Sequence, residues 1–335
     1  MGIDEIIKDF NKKHKTDLIT RGQKTKKLSR IDFSSPRANY MLRGGIPEGR
    51  MIEFAGEQGS GKTTTALDII ANAQTLFADR EKGNKILFVD VEGTLDCEWA
   101  KTLGVDTDDL FIFVPDNQPA EIILQIVEDM VETGEFGLVV LDSITFLINK
   151  ERMEKNLSDA TVGGISKVWT NHIRSMTRLQ MKYGFTYIAI NAPRPKIGSR
   201  IPGQVYYPGG EQWPLACSVR LLFSAGETYD IDGKEQPKSY QFPVAHKIII
   251  KLNKTKICPP DRKITSYVLD YKNGIDIVHD TIEAAEIEDL IEKSGSWYNY
   301  GDIKVQGKNG LKEYLEDNPE TFNKLYIEVM ERIKK

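Results

Sequence analysis

Eight consecutive residues, Gly56-Glu57-Gln58-Gly59-Ser60-Gly61-Lys62-Thr63, satisfy G-x-x-x-x-G-K-[ST] at every fixed position. Glycines at this spacing let the backbone curl until successive N–H groups face one concavity, which attracts phosphate oxygens. A helix that starts directly afterwards adds unpaired donors and the positive end of its dipole. Lys62 is then placed to reach the β/γ phosphates and the Thr63 hydroxyl to ligate Mg²⁺. The phosphate-binding segment runs from Gly56 to Thr64 through Glu57, Gln58, Gly59, Ser60 and Gly61. It predicts binding of a nucleoside triphosphate.

Two further carboxylates suit that chemistry. Asp142 closes the apolar run Leu138-Val139-Val140-Leu141, so a strand delivers it to the Mg²⁺ shell beside Thr63. Glu92 follows the apolar run that ends at Asp90, where it can polarise a water for in-line attack on the γ-phosphate. Asp90 competes for that role, and spacing alone favours Glu92 without excluding it.

These residues need a frame. Met51 to Ala55 reads as a strand leading into the glycine loop. Thr63 to Asp79 reads as a helix with the apolar stripe Ala66, Ile69, Ile70, Ala73 and Phe77. The runs 85–90, 110–114, 138–142 and 185–191 read as buried strands. Helices separate them, one striped by Ile122, Ile123, Ile126, Val127 and Met130, and one including 168–183. Near-continuous Val/Ile/Leu runs alternating with helices predict a parallel sheet covered on both faces, with ligands at the carboxyl ends of the strands. The later strands 219–225, 247–252 and 264–271 lack long helices between them and predict an antiparallel extension. Ile3, Ile6, Ile7 and Phe10 form one face of a terminal helix that needs another surface, its own core or a neighbouring subunit. The segment Arg21 to Arg30 reads as a basic linker. Past Gly274 a helical segment over 275–294 introduces a small second domain.

Bulk composition sets limits. A chain of 335 residues with 40% hydrophobic and 28% charged residues is an ordinary globular one. Without a long apolar run or secretory segment it is expected to be cytoplasmic, with no membrane partner. Cys97, Cys217 and Cys258 are widely separated, and His14, His172, His246 and His279 show no ligand spacing, which argues against disulfide or zinc frameworks. The net charge of −4 leaves any nucleic-acid site to local basic patches. Two segments are candidates: 151–164, which follows the Asp142 strand and leads into a helix, and the Gly/Pro-rich, basic and aromatic stretch 194–210, read as a long loop without secondary structure.

The motifs together resemble the bacterial RecA recombinases. The resemblance rests on Gly44-Gly45-Ile46-Pro47-Glu48-Gly49-Arg50, the phosphate loop, Asp90-Val91-Glu92-Gly93-Thr94-Leu95-Asp96, Leu141-Asp142-Ser143, Gly209-Gly210 and Lys254-Thr255-Lys256. In the last domain it rests on 290–298, Gln306-Gly307-Lys308 and 317–321, and it spans about residue 35 to the end. It implies an α/β fold: a RecA-like P-loop core over 36–274 with a mainly parallel, doubly covered sheet. A small α+β C-terminal domain over 275–335 and an N-terminal helix and linker over 1–35 used for oligomerisation complete it. It further implies that Glu92 activates the attacking water and that Asp96 and Trp99 contact the adenine. Lys254 and Lys256 would act on the neighbouring subunit's γ-phosphate. Val162, Gly163 and Gly164 in one loop, and Arg194, Lys196, Arg200, Gly209 and Gly210 in the other, would contact DNA.

The implied activity is that of a DNA-dependent ATPase using ATP and Mg²⁺. It would form helical filaments on single-stranded DNA and exchange strands with a homologous duplex. A DNA-coating scaffold filament with weak turnover, a ring helicase on the same core, and a small-molecule kinase are the other classes. Ring helicases lack this Trp-Tyr C-terminal module, and a small-molecule kinase has no role for the two loops or the Lys254-Thr255-Lys256 edge. One departure bears on coupling. Where the family has Asn-Gln, with the Gln sensing the γ-phosphate, this chain has Asn191-Ala192, so Asn191 or Arg194 is expected to carry the relay. Trp297, Tyr298 and Tyr300 with Lys304, Lys308 and Lys312 read equally as a duplex-capturing face or as a small core and its rim.

Overall fold

The computed structural model describes residues 2–14, 28–154, 164–196, 199 and 201–334. The central strands are β1 (Met51–Gly56), β2 (Lys85–Asp90), β3 (Leu110–Phe113), β4 (Phe136–Asp142), β5 (Thr186–Asn191), β6 (Val219–Tyr229), β7 (Ala245–Thr255), β8 (Ile264–Asp270) and β9 (Gly274–Ile275). The helices are α1 (Ile3–His14), α2 (Pro36–Leu42), α3 (Lys62–Phe77), α4 (Cys97–Thr102), α5 (Ala120–Glu132), α6 (Gly164–Tyr183), α7 (Ile277–Ile287), α8 (Lys308–Asp317) and α9 (Pro319–Ile333), with shorter turns between.

The strands lie in the order β9-β8-β7-β6-β1-β5-β4-β2-β3, with Glu235–Gln236 beside β6. From β6 to β3 every pairing is parallel, and from β6 to β9 every pairing is antiparallel. Period-two side-chain alternation puts Ile52, Phe54, Ile86, Phe88, Leu138, Val140, Ile188 and Ile190 on the face packed by α3. Leu87, Val89, Val139, Leu141, Tyr187 and Ala189 fill the other face under α5 and α6. Both faces are dry, which is why these strands carry no polar alternation. The stripe Ala66, Ile69, Ile70, Ala73 and Phe77 of α3 is fully buried, as its spacing predicts.

Three readings of the sequence change. The run at 110–114 is an edge strand, with no strand among the described residues on its outer side. Phe111, Ile112 and Val114 are therefore 44, 38 and 54% exposed. In α5 the buried stripe is Ile123, Leu124, Val127 and Val131, because the helix is rotated so that Ile122 faces outward. The expected helix over 275–294 ends at Ile287; Glu292–Ser294 is instead the first strand of a three-stranded antiparallel sheet with Trp297–Tyr300 and Ile303–Gln306.

That sheet and α7, α8 and α9 enclose their own core of Ile282, Tyr298, Tyr300, Leu311, Leu315, Leu325 and Val329. Tyr298 and Tyr300 are therefore core, while Trp297 is exposed beneath Lys304. Lys308 is paired with Glu283 and Glu286, and Lys312 with Asp276. Lys304 instead lies over the Trp297 ring. The unit is tied to α2 through Asp280, fully buried, which accepts from Ser35 Oγ at 2.6 Å and from the Arg37 backbone N–H and Nε. Helix α1 buries none of its residues; Ile3, Ile6 and Phe10 are 71, 53 and 38% exposed. The basic segment lies largely outside the described residues; Arg30 lies within them and donates to the Leu42 and Gly45 carbonyls.

Candidate nucleotide and DNA site

Strand β1 runs into the phosphate loop with every residue buried, so the loop is held at its root. Gly59 and Gly61 have φ of +71 and +87°, a left-handed backbone that side chains resist. A Cβ at Gly61 would lie 2.2 Å from Ile248 Cδ1, and one at Gly56 2.3 Å from the Phe223 carbonyl. The loop is thus pressed against β6 and β7 where no side chain fits. Ser60 Oγ and Lys62 Nζ both donate to the Glu57 carbonyl, at 2.7 and 2.6 Å. Burial lowers the Lys62 pKa, against the raising influence of Asp142, Glu92 and Glu57.

Helix α3 begins at Lys62, and its second residue meets the end of β4: Thr63 Oγ1 donates to Asp142 Oδ2 at 2.5 Å. Burial pushes the Asp142 carboxyl up to about 6, offset partly by Thr63, with Glu92 adding to the rise. A hydroxyl and a carboxylate oxygen side by side are hard donors that suit Mg²⁺, which takes few protein ligands and keeps waters and phosphate oxygens. A cation there relieves the cost of ionising a buried Asp142. Among the described residues no group of three His, Cys, Asp or Glu side chains could hold a metal ion.

The two candidate bases separate cleanly. Asp90 is 4% exposed, and its carboxylate accepts the N–H groups of Gly93 and Leu95 at 2.8 and 2.9 Å, which folds the turn after β2. Glu92 is exposed and accepts from Ser143 Oγ at 2.9 Å. It lines a cleft of about 580 Å³ together with Gly56's successors from Glu57 to Thr64 and Asp142. Asp96 caps α4, accepting from the N–H groups of Glu98 and Trp99, and Trp99 is half-buried against the core. Neither lines the cleft.

Lys254 and Lys256 do not meet this chain's own phosphate loop. The sheet register aligns Gly56 with Phe223 and Ile250, whereas Lys254 lies opposite Arg220. Four strand residues separate the two levels, about 13 Å at strand rise. Both ammonium groups cluster instead on the carbonyls of Pro214 and Leu215, where burial and the neighbouring charge of Lys256 lower the Lys254 pKa.

A second, larger cavity of about 800 Å³ opens between the start of α6 and the segment 194–210. The segment is folded: Arg194–Pro195 pairs antiparallel with Val205–Tyr206, because Arg194 and Tyr206 exchange backbone bonds and Lys196 N–H closes on Gln204. Arg194 and Gly210 line the cavity with Tyr206 and Tyr207, Gly164 lies at its wall as the first residue of α6, and Lys196 is exposed. Gly209 is buried, its φ is +110°, and a Cβ there would stand 3.2 Å from the Trp169 indole. Trp169 packs edge-on to Trp213 at 5.4 Å between centroids, which joins the start of α6 to the exit of the second loop. Val162, Gly163 and Arg200 lie outside the described residues, as does most of the 151–164 loop.

Two residues escape the sequence reading, Glu53 and Thr145. Glu53, fully buried inside β1, pairs with Arg220 and accepts from Asn191 Nδ2 at 2.9 Å. A lone carboxylate in an apolar strand is the signal that marks it. Thr145 accepts from the Ala192 N–H, and nothing in its local sequence distinguishes it. His172, also buried, bonds Glu128 and Tyr187, a structural role.

Comparison with known proteins identifies the family. The RecA N-terminal domain family matches residues 1–276, and the RecA C-terminal domain family matches residues 279–334. The match thus reaches the first residue, further than the motifs alone indicate. Similar proteins include the protein RecA of Cutibacterium acnes, 34% identical over 328 residues, covering 97% of this chain and 89% of that one. The protein RecA of Thermus aquaticus is 35% identical over 294 residues (87% and 82%), and that of Fusobacterium nucleatum is 34% identical over 293 residues (87% and 73%).

Proposed function

As the chain belongs to the RecA family, we propose that its cleft is one half of a composite ATP site, completed by Lys254 and Lys256 of a second copy. ATP-dependent recombination by strand exchange is the activity that membership brings, with filament formation on DNA and a DNA-dependent ATPase. The residue-level account that follows is our reading of the site. Backbone N–H groups from Glu57 to Thr64 cradle the phosphates, and Lys62 turns from the Glu57 carbonyl to the β/γ oxygens. Thr63 and Asp142 hold Mg²⁺, which when bound neutralises charge on the transferring phosphoryl group.

Glu92 polarises the attacking water. The observation that carries this assignment is the Ser143 hydroxyl on Glu92 Oε1 at 2.9 Å, which aims the carboxylate into the cleft while Asp90 is consumed by its own turn. The roughly 13 Å between the lysine pair and its own phosphate loop supports action in trans. Hydrolysis then requires assembly, and the exposed apolar face of α1 is the surface for a neighbouring subunit. Arg194, Lys196 and the tyrosine-lined cavity supply cations and stacking faces for single-stranded DNA.

Electron microscopy with single-stranded DNA and a slowly hydrolysed ATP analogue tests the reading. Regular helical filaments support it; closed rings or free monomers overturn it. A scaffold filament with weak turnover is the second reading, favoured by Ala192, which has no side-chain donor or acceptor. An ATPase rate that single-stranded DNA leaves unchanged would select it.

A further inference from the structure

A strand-exchange filament must pass information between its nucleotide and its DNA loops, and position 192 of this chain is an alanine, with no side-chain donor or acceptor. The hydrogen bonds around residue 145 supply a different route. The 3₁₀ turn Ile144–Phe146 follows β4 directly, closed by Phe146 N–H on the Ser143 carbonyl at 3.2 Å and Leu147 N–H on the Ile144 carbonyl at 3.2 Å. One end of this turn faces the triphosphate cleft through Ser143 and its bond to Glu92. The other end presents Thr145 to the root of the second loop.

Thr145 Oγ1 accepts the Ala192 N–H at 2.9 Å and donates to Asn191 Oδ1 at 3.2 Å. Its carbonyl accepts from the Arg194 guanidinium at 3.3 Å, and that guanidinium lies 5.9 Å from the centre of the Phe146 ring. Asn191 Nδ2 then donates to the Pro208 carbonyl at 2.7 Å, at the far end of the same loop. The start of the loop is therefore tied to the Thr145 hydroxyl directly and Pro208 to it through the Asn191 side chain, and that hydroxyl is two residues from the group that aims Glu92. A short hydrogen-bonded turn in contact with both sites is the kind of element through which coupling can be carried.

We infer that the Thr145 hydroxyl is a positioning residue that couples the nucleotide state to the second DNA loop, in place of a side chain at 192. The inference rests on the reading that the cleft takes ATP and that the 194–210 segment takes DNA. Thr145 lies at the wall shared by the triphosphate cleft and the larger cavity, and its hydroxyl is engaged by the Ala192 N–H and Asn191 Oδ1. It sets where Ala192, Arg194 and Pro208 stand relative to Ser143.

Binding linkage gives the test. In the wild-type protein, a non-hydrolysed ATP analogue should tighten single-stranded DNA binding, and DNA should tighten the analogue by the same factor. Thr145→Val keeps the β-branched shape and deletes both hydroxyl bonds. Its mutual enhancement should fall by at least about fivefold in both directions, while affinity for the analogue without DNA stays within about threefold of wild type. Thr145→Ser, which retains the hydroxyl, should restore the enhancement; Thr145→Ala repeats the deletion without added bulk, and melting curves check that each variant is folded. Wild-type enhancement in Thr145→Val, or lost enhancement in folded Thr145→Ser, overturns the relay. If the wild-type protein shows no mutual enhancement, the functional reading fails and the relay with it.

Discussion

Thr63 Oγ1 and Asp142 Oδ2 meet at 2.5 Å, joining the first turn of α3 to the carboxyl end of β4 across 79 residues of chain. The contact fixes the geometry of the proposed Mg²⁺ site before nucleotide arrives, while Glu92, held by the Ser143 hydroxyl, lines the same cleft.

Glu92→Gln keeps the shape and the Ser143 contact but removes the base. ATP hydrolysis should fall by about 10²- to 10⁴-fold, with ATP-dependent filament assembly retained. Steady-state phosphate release and filament imaging on the same sample measure both. Turnover within threefold of wild type would return the role to another group. Lys62→Ala, in contrast, should abolish nucleotide-dependent assembly and leave the thermal transition in place.

Action of Lys254 and Lys256 in trans predicts complementation. Glu92→Gln and the Lys254→Ala/Lys256→Ala double variant should each be inactive alone. Mixed in equal amounts before DNA is added, they leave about one interface in four with both halves intact, because a head-to-tail contact joins different surfaces. Phosphate release should recover in proportion. No recovery, in filaments verified to contain both chains, means that the lysines serve their own subunit.

Gly209 lies at φ +110° with the Trp169 indole 3.2 Å from where a Cβ would stand. Gly209→Ala must move Trp169 against Trp213 and accept a strained backbone, at a cost of about 1–3 kcal/mol in urea unfolding. Indole emission should shift as well. Gly203, with φ +73° but open space around it, serves as the control: Ala there should leave emission unchanged.

Asp68, 2% exposed on α3, accepts the Ser34 N–H at 3.1 Å, yet burial pushes its carboxyl up to about 6. Unfolded, it titrates near 3.9. Between those values the native chain holds a proton that the unfolded chain has released, so stability falls as pH rises from about 4 to 6. Two units correspond to roughly 3 kcal/mol. Asp142, also raised to about 6, adds a slope of the same sign. Asp68→Asn should flatten the curve by its own share, read as urea midpoints across that window; an unchanged slope assigns the effect elsewhere.

Much of the site is legible in the sequence because it is local. The glycines, Lys62 and Thr63 act through backbone geometry set within eight residues, and the strands bearing Asp90 and Asp142 announce themselves as apolar runs whose ends must lie at one edge of a parallel sheet. What tertiary structure decides is which neighbours share the work. Asp90 and Glu92 are two residues apart and chemically alike; only the N–H groups of Gly93 and Leu95 on one, and the Ser143 hydroxyl on the other, tell them apart. Phe111 reads as core until the sheet order puts it on an edge, and Gly209 reads as a loop glycine until Trp169 is found against it. Thr145 carries no local pattern at all. Its hydroxyl matters because residues 47 positions later fold back onto it, and long-range hydrogen bonds leave no periodicity in a sequence to be read.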